Sequence, residues 1–408
     1  MRINPHLFVL LCLFLAACTP LAPAVPDVTP ATTPSTPEPS TLPPATSRVE
    51  TPPALLPDEP PPRGAQFEFT TDFSKHTLPY SEILSGGPPK DGIPAIDDPQ
   101  FISIDEADEW LELNEPIIFL EHNGDARAYP IQIFMWHEIV NDVVGDLPVT
   151  ITFCPLCNTA IAFERTVNGQ ILDFGTTGRL HYSNLIMYDR QTESWWQQAT
   201  GEAIVGELTG TRLTFLPAPI LAWADFKTAH PDGKVLSRET GYNRSYGINP
   251  YGGYDDVNNP PFLYDGPATP GVLPPVARVL TIDLNGEAKA YPYDVLQQVH
   301  VVNDTVGGEN LVVLWAAGTA SALDSGTVAG GRDVGAANAF RRDVDGQLLT
   351  FTPEGMRILD VETGSEWNVL GQAVSGPLTG KQLTPVVAVN HFWFSWAAFK
   401  PDTQVYQP

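Results

Sequence analysis

The chain is 408 residues long and carries 48 Asp plus Glu against 22 Lys plus Arg, a formal net charge of −26 spread along its whole length. That balance argues against binding nucleic acid through its phosphates. Beyond the N-terminus no segment is long and apolar enough to cross a bilayer as a helix, so the bulk of the chain suits one large or two moderate globular domains.

The N-terminus reads as an export signal: Arg2 supplies positive charge, Leu7–Leu15 is a short apolar run, and Leu15-Ala16-Ala17-Cys18 follows. A cysteine directly after Leu-Ala-Ala resembles the bacterial lipoprotein cleavage box. The resemblance implies that residues 1–18 are a lipoprotein signal with its lipobox and that Cys18 becomes a diacylated mature N-terminus. The protein would then be a membrane-anchored lipoprotein outside the cytoplasm, on the cell surface or in the periplasm. Residues 19–62 are dominated by Pro, Thr, Ser and Ala and hold almost no large apolar side chain. Such a composition cannot bury enough surface to offset chain entropy, which predicts a disordered, semi-extended tether.

Short strands follow. Pro116–Glu121 and the segment ending at Tyr129-Pro130 predict a hairpin about Asn123-Gly124-Asp125. Ile131–Val140 has helical spacing, with Pro130 at its first turn and Ile133, Trp136, Ile139 and Val140 toward the core. Val149–Phe153 is a β-branched and aromatic strand that leads into Cys154. Ala160–Thr166 and Gln170–Phe174 predict a hairpin about Asn168-Gly169, and Asn184–Tyr188 with Ser194–Gln197 another. Leu221–His230 reads as a short helix ended by Pro231-Asp232-Gly233. Residues 241–278 form a connector rich in Gly, Pro, Asn and Tyr; its Tyr242, Tyr246, Tyr251 and Tyr254 suit a lid over part of a site.

Residues 116–240 then recur, worn down, as 279–405. Gly124–Pro130 returns as Gly286–Pro292, Val140-Asn141-Asp142 as Val302-Asn303-Asp304, and Leu208-Thr209-Gly210 as Leu378-Thr379-Gly380. Thr192–Trp196 answers Thr363–Trp367, and Trp223–Lys227 answers Trp396–Lys400. The expected fold is α+β and β-dominated, with two pseudosymmetric repeats of short strands and hairpins and two short helices in each. The first repeat spans 63–240 and the degenerate second 279–408. What both copies keep is expected to be scaffold; what one copy keeps is a candidate for chemistry.

On that test the cysteines stand out. Cys12 would leave with the signal and Cys18 would be the anchor, so Cys154 and Cys157 alone remain in the folded body. They lie in Phe153-Cys154-Pro155-Leu156-Cys157-Asn158-Thr159; the second copy has Ala316 and Thr319 at their positions. Two thiols at this spacing can meet at one metal ion or close a small ring. His137, replaced by Val299 in the second copy, and His181, in a stretch without a counterpart there, are the candidate additional ligands. With Cys154 and Cys157 they would make a soft site for copper or zinc. Met135 and Met187 read as core, as do Trp195 and Trp196. Glu138 and Asp142 are positioned to orient a ligand histidine, although Asp142 persists as Asp304 and so reads as structural. Arg179 and Arg190 read as solvated surface.

The stretches W-H-E-I-V-N-D, F-C-P-L-C-N-T, S-N-L-I-M-Y-D-R-Q-T-E-S-W-W-Q, G-x-x-L-T-G and the late H-F-W-F-S-W-A-A-F-K-P-D-T resemble bacterial and archaeal proteins of domain-of-unknown-function family 3179. The resemblance implies a secreted or membrane-tethered protein and no established activity. Three readings stay open: a soft-metal lipoprotein, with or without a redox link; a thiol–disulfide oxidoreductase using Cys154 and Cys157; and a noncatalytic binding or scaffold module.

Overall fold

A computed structural model describes residues 54–408. Cys18 and most of the expected tether lie outside the described residues. Two of the Asn-Gly hairpins show how the sequence sets the framework. Asn123 and Gly124 (φ 51° and 78°) and Asn285 and Gly286 (φ 52° and 85°) all take the left-handed conformation that a tight hairpin turn needs and that Asn and Gly accept most readily. They join Pro116–His122 to Asp125–Pro130 and Arg278–Leu284 to Glu287–Pro292.

The sheets built around them share a common set of strands, to which the first half adds Phe101–Ile102, Thr214–Leu216 and Ile83–Ser85 at sheet edges. The first runs Ile220–Ala222, Pro116–His122, Asp125–Pro130, Lys234–Leu236, with Phe101–Ile102 added at the edge. Its counterpart runs Ala388–Phe392, Arg278–Leu284, Glu287–Pro292, Gln404–Val405. Next come Ile139–Val144, Leu147–Cys154 and Thr159–Glu164, matched by Val301–Val306, Glu309–Ala316 and Ala336–Arg341. A third sheet holds Phe174–His181, Asn184–Asp189, Trp195–Gln197 and Glu202–Val205. It is matched by Phe351–Glu354, Arg357–Asp360, Glu366–Trp367 and Ala373–Ser375. The fold is α+β and strand-dominated, with several small sheets and short helices. Among the described residues no helix is long and apolar enough to cross a membrane.

The residues shared by the halves hold this framework. Asn141 accepts from the Phe174 N–H (3.0 Å) and donates to its carbonyl (2.8 Å); Asn303 does the same with Phe351 (2.9 and 2.7 Å). Asp142 accepts from Arg127 and from the Tyr129 hydroxyl (2.6 Å), as Asp304 does from Lys289 and the Tyr291 hydroxyl (2.9 Å). Asp189 gathers the Thr192 N–H (2.6 Å) and the Trp196 indole N–H (2.9 Å); Asp360 gathers Thr363 and Trp367 at the same distances. Because Asp189 and Trp196 are fully buried, Asp189→Ala strands donors that water cannot reach. It should lower the unfolding free energy by about 3 kcal/mol, and Asp360→Ala by a similar amount. Urea denaturation measures both; a loss below about 1 kcal/mol at either site would contradict the equivalence of the turns.

Two sequence expectations need correction. The helix predicted over Ile131–Val140 stops at His137, where Glu138 turns left-handed (φ 57°) and Ile139 starts a strand paired with Leu147–Cys154. The run Ile-Val-Asn-Asp-Val-Val fits either period; its β-branched residues and a partner strand decide it. His300 makes the same break in the second half (φ 58°). Also, Trp223 corresponds to Trp393 rather than Trp396. Ala222 pairs with Pro116 and Phe392 with Arg278 in equivalent sheets, and each is followed directly by the helix. The recurring feature is an aromatic pair three residues apart, Trp223/Phe226 and Trp393/Trp396, on one helical face.

The halves interlock. Ala388–Phe392 packs against Thr159–Glu164, and Ile220–Ala222 packs against Ala336–Arg341. One of these two equivalent contacts lies beside the cysteines.

Candidate functional site

The strand Leu147–Cys154 runs into a single 3-10 turn, Pro155–Cys157, with Pro155 opening it and Asn158 closing it in the left-handed conformation (φ 51°). Cys154 then faces Thr159 across the hairpin. The turn places both thiols, free and buried, on one side. A second turn meets them: Tyr182 and Ser183 (φ 53° and 66°) cap the Phe174–His181/Asn184–Asp189 hairpin and swing the Ser183 carbonyl toward the sulfurs. Cys157 Sγ lies 3.4 Å and Cys154 Sγ 3.8 Å from that oxygen, and Asn184 Nδ2 donates to Cys157 Sγ at 3.5 Å.

Burial is the main force that pushes the Cys154 thiol well above its ordinary value; the neighbouring Cys157 thiol and Glu138 add to it, and the Leu185 backbone N–H opposes it. Burial also raises the Glu138 carboxyl to about 8. At neutral pH Cys154 and Glu138 therefore hold their protons, with no cation among the main influences on Cys154. The connector covers it. The Tyr254 hydroxyl donates to the Leu156 carbonyl (2.9 Å), the Ser183 hydroxyl donates to Phe262 O (2.7 Å), and Tyr251 and Tyr254 pack on the apolar cluster that contains both cysteines.

The two thiols come together as expected; the two histidines do not join them. His137 donates from Nδ1 to Pro94 O (2.7 Å), and its Nε2 meets the Tyr246 hydroxyl (2.7 Å). Both ring nitrogens are used, and the residue ties the helix end to the connector. His181 Nδ1 meets Gln197 Oε1 (2.8 Å), Nε2 meets Glu82 Oε2 (3.3 Å), and the ring lies against Tyr182. Among the described residues no three His, Cys, Asp or Glu side chains form a group able to hold a metal ion. The four-ligand arrangement of Cys154, Cys157, His137 and His181 is thus corrected to a pair of thiols. Glu138 influences Cys154 and Tyr251 rather than orienting a histidine. Met135 and Met187 are core, Met187 in the same cluster as the thiols. Arg179 is buried and paired with Glu68, and Arg190 is paired with Asp97, so neither is free surface.

Sequence reasoning missed His391. It belongs to the half without cysteines, yet its Nδ1 sits 2.8 Å from Thr159 Oγ1, and Thr159 donates to the Cys157 carbonyl (3.1 Å). Ser395 Oγ lies 3.4 Å from the same ring nitrogen and 3.5 Å from the Cys157 carbonyl. His391 is fully buried, its Nε2 has no partner, and burial pulls it down to about 3, so the ring is neutral. By strand register the equivalent contact in the other half is Leu221 against Ala336, inside an apolar cluster. A polar pair has replaced an apolar one on the cysteine side only. The signal was present as a buried-type His in H-F-W-F-S-W, but nothing local links it to Cys157.

Fold and site together define an internally duplicated, β-rich protein in which one half carries a buried, covered dithiol. The chain belongs to the family described as "Protein of unknown function (DUF3179)", whose profile matches residues 90–403. Searches among curated proteins and among solved structures gave no match.

Proposed function

We propose that Cys154 and Cys157 form a two-thiol centre for a soft metal ion, copper(I) by preference and zinc as the alternative, in a membrane-anchored protein outside the cytoplasm. The observation that carries this reading is the convergence of two buried thiols on one carbonyl oxygen, 3.4 and 3.8 Å away. Soft thiolates select such ions, and a bound cation supplies the positive charge that lets a buried thiol give up its proton. A thiol–disulfide exchange role is the second reading. It is favoured by the closeness of the two sulfurs and disfavoured by burial, which holds the Cys154 proton on, because the thiolate is the attacking species. Metal analysis of anaerobically purified protein, paired with a thiol count, separates them. The metal reading expects copper or zinc near one equivalent; the exchange reading expects none and a Cys154–Cys157 disulfide that forms reversibly.

The anchor rests on the lipobox resemblance at Cys18. Cys18→Ser should move the protein from the membrane fraction to the soluble fraction. Retention of the variant on membranes after a salt wash would contradict the lipid anchor.

A further inference from the structure

Asn184 stands out among the groups around the thiols because its orientation is fixed. Its Oδ1 accepts from Gln197 Nε2 and from the Ala199 backbone N–H (2.9 Å). With the oxygen so engaged, Nδ2 must face the remaining partners, Gln198 Oε1 (2.8 Å) and Cys157 Sγ (3.5 Å). Gln198 is held in turn by Thr152 Oγ1 (2.9 Å) and the Thr159 carbonyl (3.1 Å). Gln197 is held by His181, which reaches Glu82 at the surface. Asn184, Gln197 and Gln198 are no more than 1% exposed, so water cannot replace any of these bonds.

Three buried polar side chains on this hairpin and the segment beside it are an expensive way to build it, and the other half shows that the hairpin does not require all of them. There the strands Phe351–Glu354 and Arg357–Asp360 turn at Gly355-Met356, two residue pairs earlier than the Tyr182-Ser183 turn. By the same register Asn368 and Val369 stand where Gln197 and Gln198 do. Among the described residues the extension that brings Ser183 and Asn184 to the sulfurs lies only beside the cysteines, and Gln198, one of the two amides that lock it, gives way to Val369 in the other half.

We propose that Asn184, locked by Gln197 and Gln198, positions an N–H donor on the Cys157 sulfur and thereby sets the affinity of the dithiol for a soft ion. The proposal rests on the metal reading above. A coordinated thiolate carries more negative charge than a thiol, so a donor aimed at sulfur stabilises the loaded state more than the empty one. Gln197 and His181 act through Asn184 and are positioning residues.

The test uses the full chain, with copper(I) supplied anaerobically against a competing chelator. Asn184→Leu keeps the size of the side chain and removes the donor. Its affinity should fall roughly 10- to 100-fold, the usual effect of losing an outer-shell partner. Gln197→Leu, which touches no sulfur, should lower it less. In both, the thiolate-to-copper absorption band should shift while the far-ultraviolet dichroism stays that of the wild type. If Asn184→Leu fails to fold, Gln197→Leu carries the test. Wild-type affinity and an unmoved band in the folded variants would overturn the proposal. If the wild type itself takes up no copper(I), the metal reading fails, and the positioning role is read from alkylation mapped by mass spectrometry. The ratio of labelling at Cys157 to that at Cys154 should then fall in Asn184→Leu; an unchanged ratio would overturn it.

Discussion

Cys154→Ser and Cys157→Ser should each abolish stoichiometric copper(I) binding, with a loss of affinity well beyond the roughly 100-fold expected from an outer-shell change. The reason is the composition of the site. Among the described residues nothing else groups with the two thiols as a metal-holding set, so removal of one leaves a single ligand. Serine is close to isosteric and hydroxyl can still meet the Ser183 carbonyl, so the fold should survive. His137→Ala is the matched control. Its ring nitrogens are committed to Pro94 and Tyr246, so the stoichiometry should be unchanged even where the connector loosens. Competition titrations of the three variants give the answer. Loss of binding in His137→Ala with the fold intact would restore histidine to the site.

The second large effect concerns stability. His391 is neutral in the fold, pulled from 6.5 down to about 3 by burial alone. The folded value lies below the unfolded one, so its contribution is complete above pH 6.5 and is lost as the pH falls toward 3. Between pH 7.5 and pH 4.5 this single group should remove roughly 2.5 kcal/mol, and on the order of 4 kcal/mol by pH 3. The internal duplication supplies the control. The double variant His391→Leu, Thr159→Ala recreates the Leu221/Ala336 contact of the other half. It should be at least as stable as the wild type at pH 7.5, because a buried ring nitrogen without a partner is removed. Its stability should also fall less steeply with acid, by the same roughly 2.5 kcal/mol at pH 4.5. Urea denaturation at the two pH values measures this, other titrating groups cancelling in the difference. Parallel pH curves for the two proteins would contradict a buried neutral His391.

Much of the framework could be read from the sequence, for local reasons. Asn-Gly turns need two left-handed residues in succession, so Asn123-Gly124 and Asn285-Gly286 declare their hairpins without help from the rest of the chain. Repetition of Val-Asn-Asp and Thr-x-Ser-x-Trp marks scaffold, and each proved to be a hydrogen-bonded tie present in both halves. The thiol pair was equally legible, since four residues of one turn cannot separate far.

What failed was inference across the chain. His137 and His181 were tied to the cysteines because all four are missing from the second copy. Absence from the second copy identifies what is special to the first half, but not which special feature a residue serves. His137 follows Tyr246 and the connector, which the second copy lacks, and His181 follows the longer hairpin and the amides behind Asn184. His391 escaped for the converse reason. It lies in the copy that reads as degenerate and reaches Thr159 only because the halves interlock strand against strand. The helix end at Glu138 was lost to a sequence that fits both periods until its partner strand is known.

The most direct test of the central claim is an anaerobic copper(I) titration of the full-length wild-type protein, followed by the thiolate-to-metal absorption band and by alkylation of the remaining free thiols. The two-thiol centre predicts a band that saturates at one ion per chain, with Cys154 and Cys157 both protected from alkylation at that point. A band that never develops, while both cysteines stay open to alkylation or close into a reversible disulfide, would contradict it.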